Sequence, residues 1–482
     1  MTKPRRGAGA CGVAVLLVVA VVAGCGGRDK YAGPDHDQHS IHFEQRNMPA
    51  FLRGPHNQAF FFRHNDQYRT SASIHFAHGK AHDVPQLSPL DKAYYYDAGF
   101  NAECEEWLYN RPYIEPNMMI FGPYTGRFAW NLYRAIDWTH VHHSQTYDIM
   151  ATKAIPWEKK KEWTDRAVKA YLDRMPDTAR SVAPLDVTMR RAGTMMKPYF
   201  TYFRNNYPRS NNFFYLAHWW HPVIYEAQMI GGNGRGQDEA VRDTHALTFT
   251  QVNHDRPLRM LLSREAMPRY SRMSPESGNI FDNLHMLHGI AYDILSYEGW
   301  TEDQKRAEIY RVIEAMSYRP GDEKLARKFK VPHPDMDPRI YYDWMKTFDG
   351  ETNRIMLEMH EQMMLLMMPD GKEMSDDMKQ KMKDQLRLKL MPGMQEGEIP
   401  GSWHEAMMKL MPDMKMDKEG MQPGKAPQKM IDAMLEGWQE KYGDLPDVEP
   451  IDMSSEPALP ARPATRPTTQ MALAQDREGD GR

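Results

Sequence analysis

From about residue 131 the apolar positions recur with a helical period. In WEKKKEWTDRAVKAYLDRM (157–175), Trp157, Trp163, Val168 and Leu172 recur among charges, and Pro156 sits where proline suits a helix start. GNIFDNLHMLHGIAYDILSYEG (278–299) places Phe281, Leu284, His288, Ala291 and Leu295 on one helix face. Thr301 and Gln304 then form a capping box that opens a second helix, joined to the first by a short EGW turn. The aromatic-dense stretch 195–229 is expected in the core or in a pocket wall. Residues 51–130 carry aromatic runs (AFFFRH, AYYYDAGF, MMIFGPY) broken by Gly, Pro and Asn, with no sustained helical period. They are expected to be irregular, with short helices and a few short strands. The fold class that follows is mainly α: helical domains preceded by an irregular aromatic-rich segment.

The two ends behave differently. Lys3, Arg5 and Arg6 precede the apolar run Val13–Ala23, which is shorter than the ~20 residues needed to span a bilayer. This is the layout of a secretory signal peptide. The run ends in Val22-Ala23-Gly24-Cys25, which resembles the lipobox of bacterial lipoproteins. The resemblance implies cleavage before Cys25, diacylation of its thiol, and a lipid bilayer as partner. Gly26 lacks the aspartate associated with inner-membrane retention, so an outer-membrane location is expected, with the body in the periplasm or at the cell surface. Residues 441–482, rich in Pro, Ala, Thr and acid, cannot bury enough apolar surface to order, and are expected to form a disordered tail. The expected organisation is a signal peptide (1–24), a tether (25–50), the aromatic segment (51–130), a central helical domain (131–335), a Met-rich helical module (336–440) and the tail.

Composition narrows the partners. There are 61 basic and 65 acidic residues, with no long basic run, which argues against nucleic acid. Half of the 38 methionines lie within 356–434, and Met356, Met359, Met363 and Met367 share a helix face. Such a stripe serves as core, as a pliable face for a protein partner, or as soft ligands for Cu(I). Cys104, flanked by Glu103, Glu105 and Glu106, reads as a buried inert thiol.

The candidate chemistry lies in the histidines. Eight fall between His36 and His82, the first three in a stretch suited to loose metal binding or to a polar linker. His140, His142 and His143 would suit a copper or zinc ion if extended, a geometry lost in a helix. LAHWWHPVIYE carries His218, His221 and Glu226, with Pro222 expected to start a helix. NLHMLHGIAYD carries His285, His288 and Asp293. Two H-x-x-H pairs on neighbouring segments offer a four-histidine site for copper, zinc or iron, with Glu226 or Asp293 adding a carboxylate. The alternative for His288 is a core histidine with one hydrogen bond. Zincin, P-loop, dinucleotide and G-x-S-x-G motifs are absent, and C-x-x-C-H is absent too, which leaves only noncovalent haem through His221 or His288. NHDRP (253–257) reads as a salt-bridged turn and GGNGRGQDE (231–239) as a flexible one. Two functions follow as expectations: an envelope lipoprotein that binds or scaffolds envelope proteins, or a histidine-ligated metal protein or metal-dependent enzyme.

Overall fold

Four long helices place their middles around one axis: α2 (Asn65–Leu87), α5 (Trp130–Ala151), α9 (Pro208–Gln228) and α13 (Pro275–Ser296). The computed structural model describes residues 58–113, 122–257, 259–328, 375–377 and 380–381. The lipobox with Cys25, the tether to residue 50, the Met-rich residues 356–434 apart from 375–377 and 380–381, and the tail lie outside the described residues. The chain is mainly helical, and among the described residues the sole β-pairing is an isolated bridge between Arg180 and Ser317.

α2 packs against α9 and α13, and α5 packs against the same two, so α2 stands diagonal to α5 and α9 diagonal to α13. Around this ring lie α3 (Ala93–Tyr109) on α2 and α9, α6 (Lys160–Arg174) on α5, α10 (Arg235–Leu247) on α9, and α14 (Glu302–Ala315) on α5 and α13. Trp219 and Trp220, both fully buried, fill the middle of α9. A smaller apolar cluster joins α6 to the outer face of α5 through Trp138, Val168, Tyr171 and Leu172.

The local signals for α6, α13 and α14 hold. Pro156 leads a 3₁₀ turn into α6, and Thr301 and Gln304 exchange both bonds of their capping box. Two expectations are corrected. Residues 65–87 and 93–109 are helical, not irregular. α2 buries Thr70, Ser71, Ser73, His75, His78 and His82 as well as its apolar side chains, so no apolar stripe marks it. Pro222 does not start a helix; it lies inside α9, which starts at Pro208. The packing of its neighbours outweighs the backbone bond to His218 C=O that proline cannot make. NHDRP is a turn tied down by Arg256, which donates to Glu105 at 2.7 Å and Asn253 at 3.1 Å. Cys104 is buried, and burial, with Glu103 next, pushes its thiol well above the ordinary value.

Candidate metal centre

Each ring helix is preceded by a short helix and one linking residue. The short helices are α1 (Ala59–Arg63), α4 (Pro123–Phe128), α8 (Tyr202–Asn206) and α12 (Pro268–Met273). The linking residues His64, Ala129, Tyr207 and Ser274 share one backbone conformation, with φ of −131°, −140°, −129° and −143°. Ten residues after each ring helix begins comes a histidine: His75, His140, His218 or His285. Three further on comes another: His78, His143, His221 or His288. The next marks are His82, Tyr147, Tyr225 or Tyr292, then Asp83, Asp148, Glu226 or Asp293. The motif H-x-x-H-x-x-x-[H/Y]-[D/E] thus occurs four times, once per ring helix, and the chain is a fourfold internal repeat.

The acid of each repeat holds the short helix of its diagonal partner. Asp83 accepts from Tyr124 N and Thr125 N at 3.2 and 2.8 Å, and Asp148 from Gln58 N and Phe60 N at 2.7 and 2.9 Å. Glu226 accepts from Arg269 N at 2.9 Å and Asp293 from Thr201 N and Phe203 N at 3.0 and 2.8 Å. Carboxylates there satisfy the unpaired N–H groups and the positive end of a helix. Burial still pushes Asp148, Glu226 and Asp293 up to about 7 against those donors. Glu226 also carries the Arg269 guanidinium at 2.8 Å. Both carboxylates weighed as metal ligands are therefore engaged at helix ends.

The histidines face inward. Two sets of three bring one nitrogen per ring within 4.8 Å of one another: His75, His143 and His221, and His78, His140 and His288. A ~2 Å metal–nitrogen bond asks for nitrogens closer together than that limit. All six side chains are at most 3 % exposed. The sets abut, since His75 and His140 stack with ring centroids 3.9 Å apart and the His78 and His221 rings lie 6.0 Å apart.

Of the residues singled out from sequence, His221 and His288 fall in different sets. His218 and His285 lie beside them, with their rings 4.3 Å apart. His218 Nε2 bonds Leu261 O, and His285 Nδ1 lies 2.8 Å from Phe281 O. His142 points away, its Nε2 3.0 Å from Ser277 Oγ. His75, His78 and His82 carried no site assignment in the sequence reading, yet their recurring motif was visible in the sequence.

Protonation suits ligation. Burial holds His78, His140, His143, His221, His285 and His288 well below the ordinary imidazole value, and neighbouring imidazoles add to it. Burial alone brings His82 down to about 3. Neutral rings keep one lone pair each. Several are oriented through one nitrogen while the other is left over. His143 Nδ1 meets Tyr225 Oη at 2.8 Å with Nε2 unpartnered, and His288 Nδ1 meets His82 Nε2 at 2.8 Å with Nε2 unpartnered. Both nitrogens of His78 and of His221, and Nδ1 of His140, also lack a partner. Each buried polar atom left so costs about 1–3 kcal/mol. Among the described residues this is where orphaned nitrogens converge.

Compared with family models, with curated proteins and with solved structures, the chain matches none.

Proposed function

We propose that the protein is a histidine-ligated metal protein of the bacterial cell envelope that holds two ions in the core of its four-helix ring. His75, His143 and His221 hold one ion; His78, His140 and His288 hold the other. The observation that carries this reading is the convergence of six buried imidazoles in two sets of three, with unpartnered nitrogens on His78, His140, His143, His221 and His288. Metal coordination satisfies several such lone pairs at a single point. The pinned second nitrogens of His143 and His288 fit it, because metal-bound histidines are oriented through the nitrogen that does not ligate.

The donor set selects the metal. Iron and manganese centres in helix bundles rest on carboxylates, and here the four motif carboxylates serve as helix caps. Imidazole suits copper and zinc, and copper binds the tighter of the two. Three protein ligands per ion leave a coordination position for another molecule, as in catalytic sites. The lipid anchor proposed at Cys25 would fix this centre to the outer membrane.

Elemental analysis of the purified mature chain tests the proposal. Two equivalents of copper or zinc are expected. A paired variant, His221→Ala with His288→Ala, should lose both while keeping its helical circular dichroism. A wild-type chain that takes up no transition metal after reconstitution overturns the reading.

A further inference from the structure

The two sets lie too close, and are too poor in charge, to act as separate sites. This argument rests on the two-ion reading above. His75 belongs to one set and His140 to the other, yet their rings stack at 3.9 Å. The His78 and His221 rings, again one from each set, lie 6.0 Å apart. All of the side chains in both sets are imidazoles, which bring no negative charge. The acids that follow them in sequence, Asp83, Asp148, Glu226 and Asp293, spend their oxygens on the backbone at the short helices and, for Glu226, also on the Arg269 guanidinium. Two divalent ions would therefore bring four positive charges into a water-poor core with no protein anion in either set, and uncompensated buried charge is strongly unfavourable.

We infer that the two ions form one coupled pair whose physiological ligand is a small anion or anion-forming molecule that bridges them, with hydroxide in the resting oxidised state. The bridge uses the position that each three-histidine set leaves open, and it lowers the charge of the centre where no side chain does. The burial of all six ligands restricts this molecule to a few atoms. The same logic ties the bridge to redox state when the ions are copper. Two electrons from a one-electron donor convert two Cu(II) to two Cu(I), and one proton converts the bridging hydroxide to water, which leaves. Reduction thus lowers metal charge and expels the anion in one balanced step. The open pair is then a two-electron site for a small oxidant.

The test uses the whole mature chain, stripped with chelator and reloaded with Cu(II). Copper per chain, the integrated electron paramagnetic resonance signal and an azide titration followed by absorbance are measured on the same sample. The inference expects two coppers per chain, a spin count far below the copper count because the bridged ions couple, and saturation at one azide per two coppers. Ascorbate should abolish azide binding. Two coppers with the full signal of two independent ions, or two azides taken up independently, would overturn the coupled pair and leave the two-ion reading standing. Fewer than two coppers per chain would overturn both. His218→Ala, outside both sets, is the matched variant; it should keep the coupled signal.

Discussion

The two three-histidine sets are near copies on one frame, yet they are braced differently. Around His143 and His221 the brace is phenolic. Tyr147 and Tyr225 pack at 4.3 Å, Tyr225 Oη lies 2.8 Å from His143 Nδ1, and Tyr147 donates to His221 O at 2.7 Å. Around His78 and His288 the equivalent pair is His82 and Tyr292 at 4.5 Å. Tyr292 still donates to His78 O at 3.2 Å, but His82 uses its ring nitrogen to orient His288 instead of bonding a carbonyl. Repetition thus sets where the histidines stand, and the departure at His82 sets how His288 is oriented. An imidazole is a stronger base than a phenol, so if His288 ligates through Nε2, His82 would draw its Nδ1 proton and make that nitrogen more electron-rich.

The largest way to break the comparison is to remove one set. His221→Ala should reduce the metal content from two equivalents to one, and His288→Ala should do the same for the other set, by elemental analysis. In the metal-free chain His221→Ala should cost little stability, because it also deletes two unpartnered buried nitrogens.

Acid should come next. His82, His142 and His218 are brought down to about 3 by burial, with His78, His140, His143, His221, His285 and His288 also lowered, all from an ordinary value of 6.5. Unfolded, these rings take up protons below pH 6.5 that the folded chain refuses, so stability falls as pH drops from there. Asp148, Glu226, Asp282 and Asp293, raised to about 7, act in the opposite sense. They bind protons more readily when folded and so lose stability as pH rises through that range. The histidines outnumber them, and the metal-free protein should unfold progressively between about pH 6 and 4. Urea midpoints across that window check it, and a midpoint that rises on acidification would refute it.

A smaller effect is expected at the caps. Asp148→Ala leaves the N–H groups of Gln58 and Phe60 without their acceptor and should cost about 3 kcal/mol in urea unfolding. Asp293→Ala should match it, since Asp293 holds Thr201 and Phe203 in the same way. The smallest change sharpens the contrast directly. His82→Tyr makes the second set a copy of the first, and should weaken one ion about tenfold in chelator competition while leaving the other unchanged.

The ring helices α9 and α13 were easier to read from sequence than α2. α13 and α14 announced themselves through an apolar face and a capping box, and the aromatic density of 195–229 marked α9 as central. α2 was hidden because it is buried on nearly every side, and its small and polar residues give no stripe. Without α2 as a helix, His75 and His78 had no partners, and the H-x-x-H pairs on α9 and α13 looked like one site. The structure instead distributes each pair: His221 joins α2 and α5 residues, as does His288, while His218 and His285 rest on backbone carbonyls. Glu226 and Asp293 drew attention as acids near histidines. Their role depends on short helices far along the chain, which local pattern does not reveal.

The reciprocal caps stay within each half of the chain: Asp83 and Asp148 bind elements of residues 58–151, Glu226 and Asp293 elements of residues 201–296. The two histidine sets do the reverse, each drawing two imidazoles from the first half and one from the second. Copper or zinc bound there would act as a rivet between two separately capped halves. A chain cleaved between α6 and α8 should then reassemble from its fragments in a metal-dependent way.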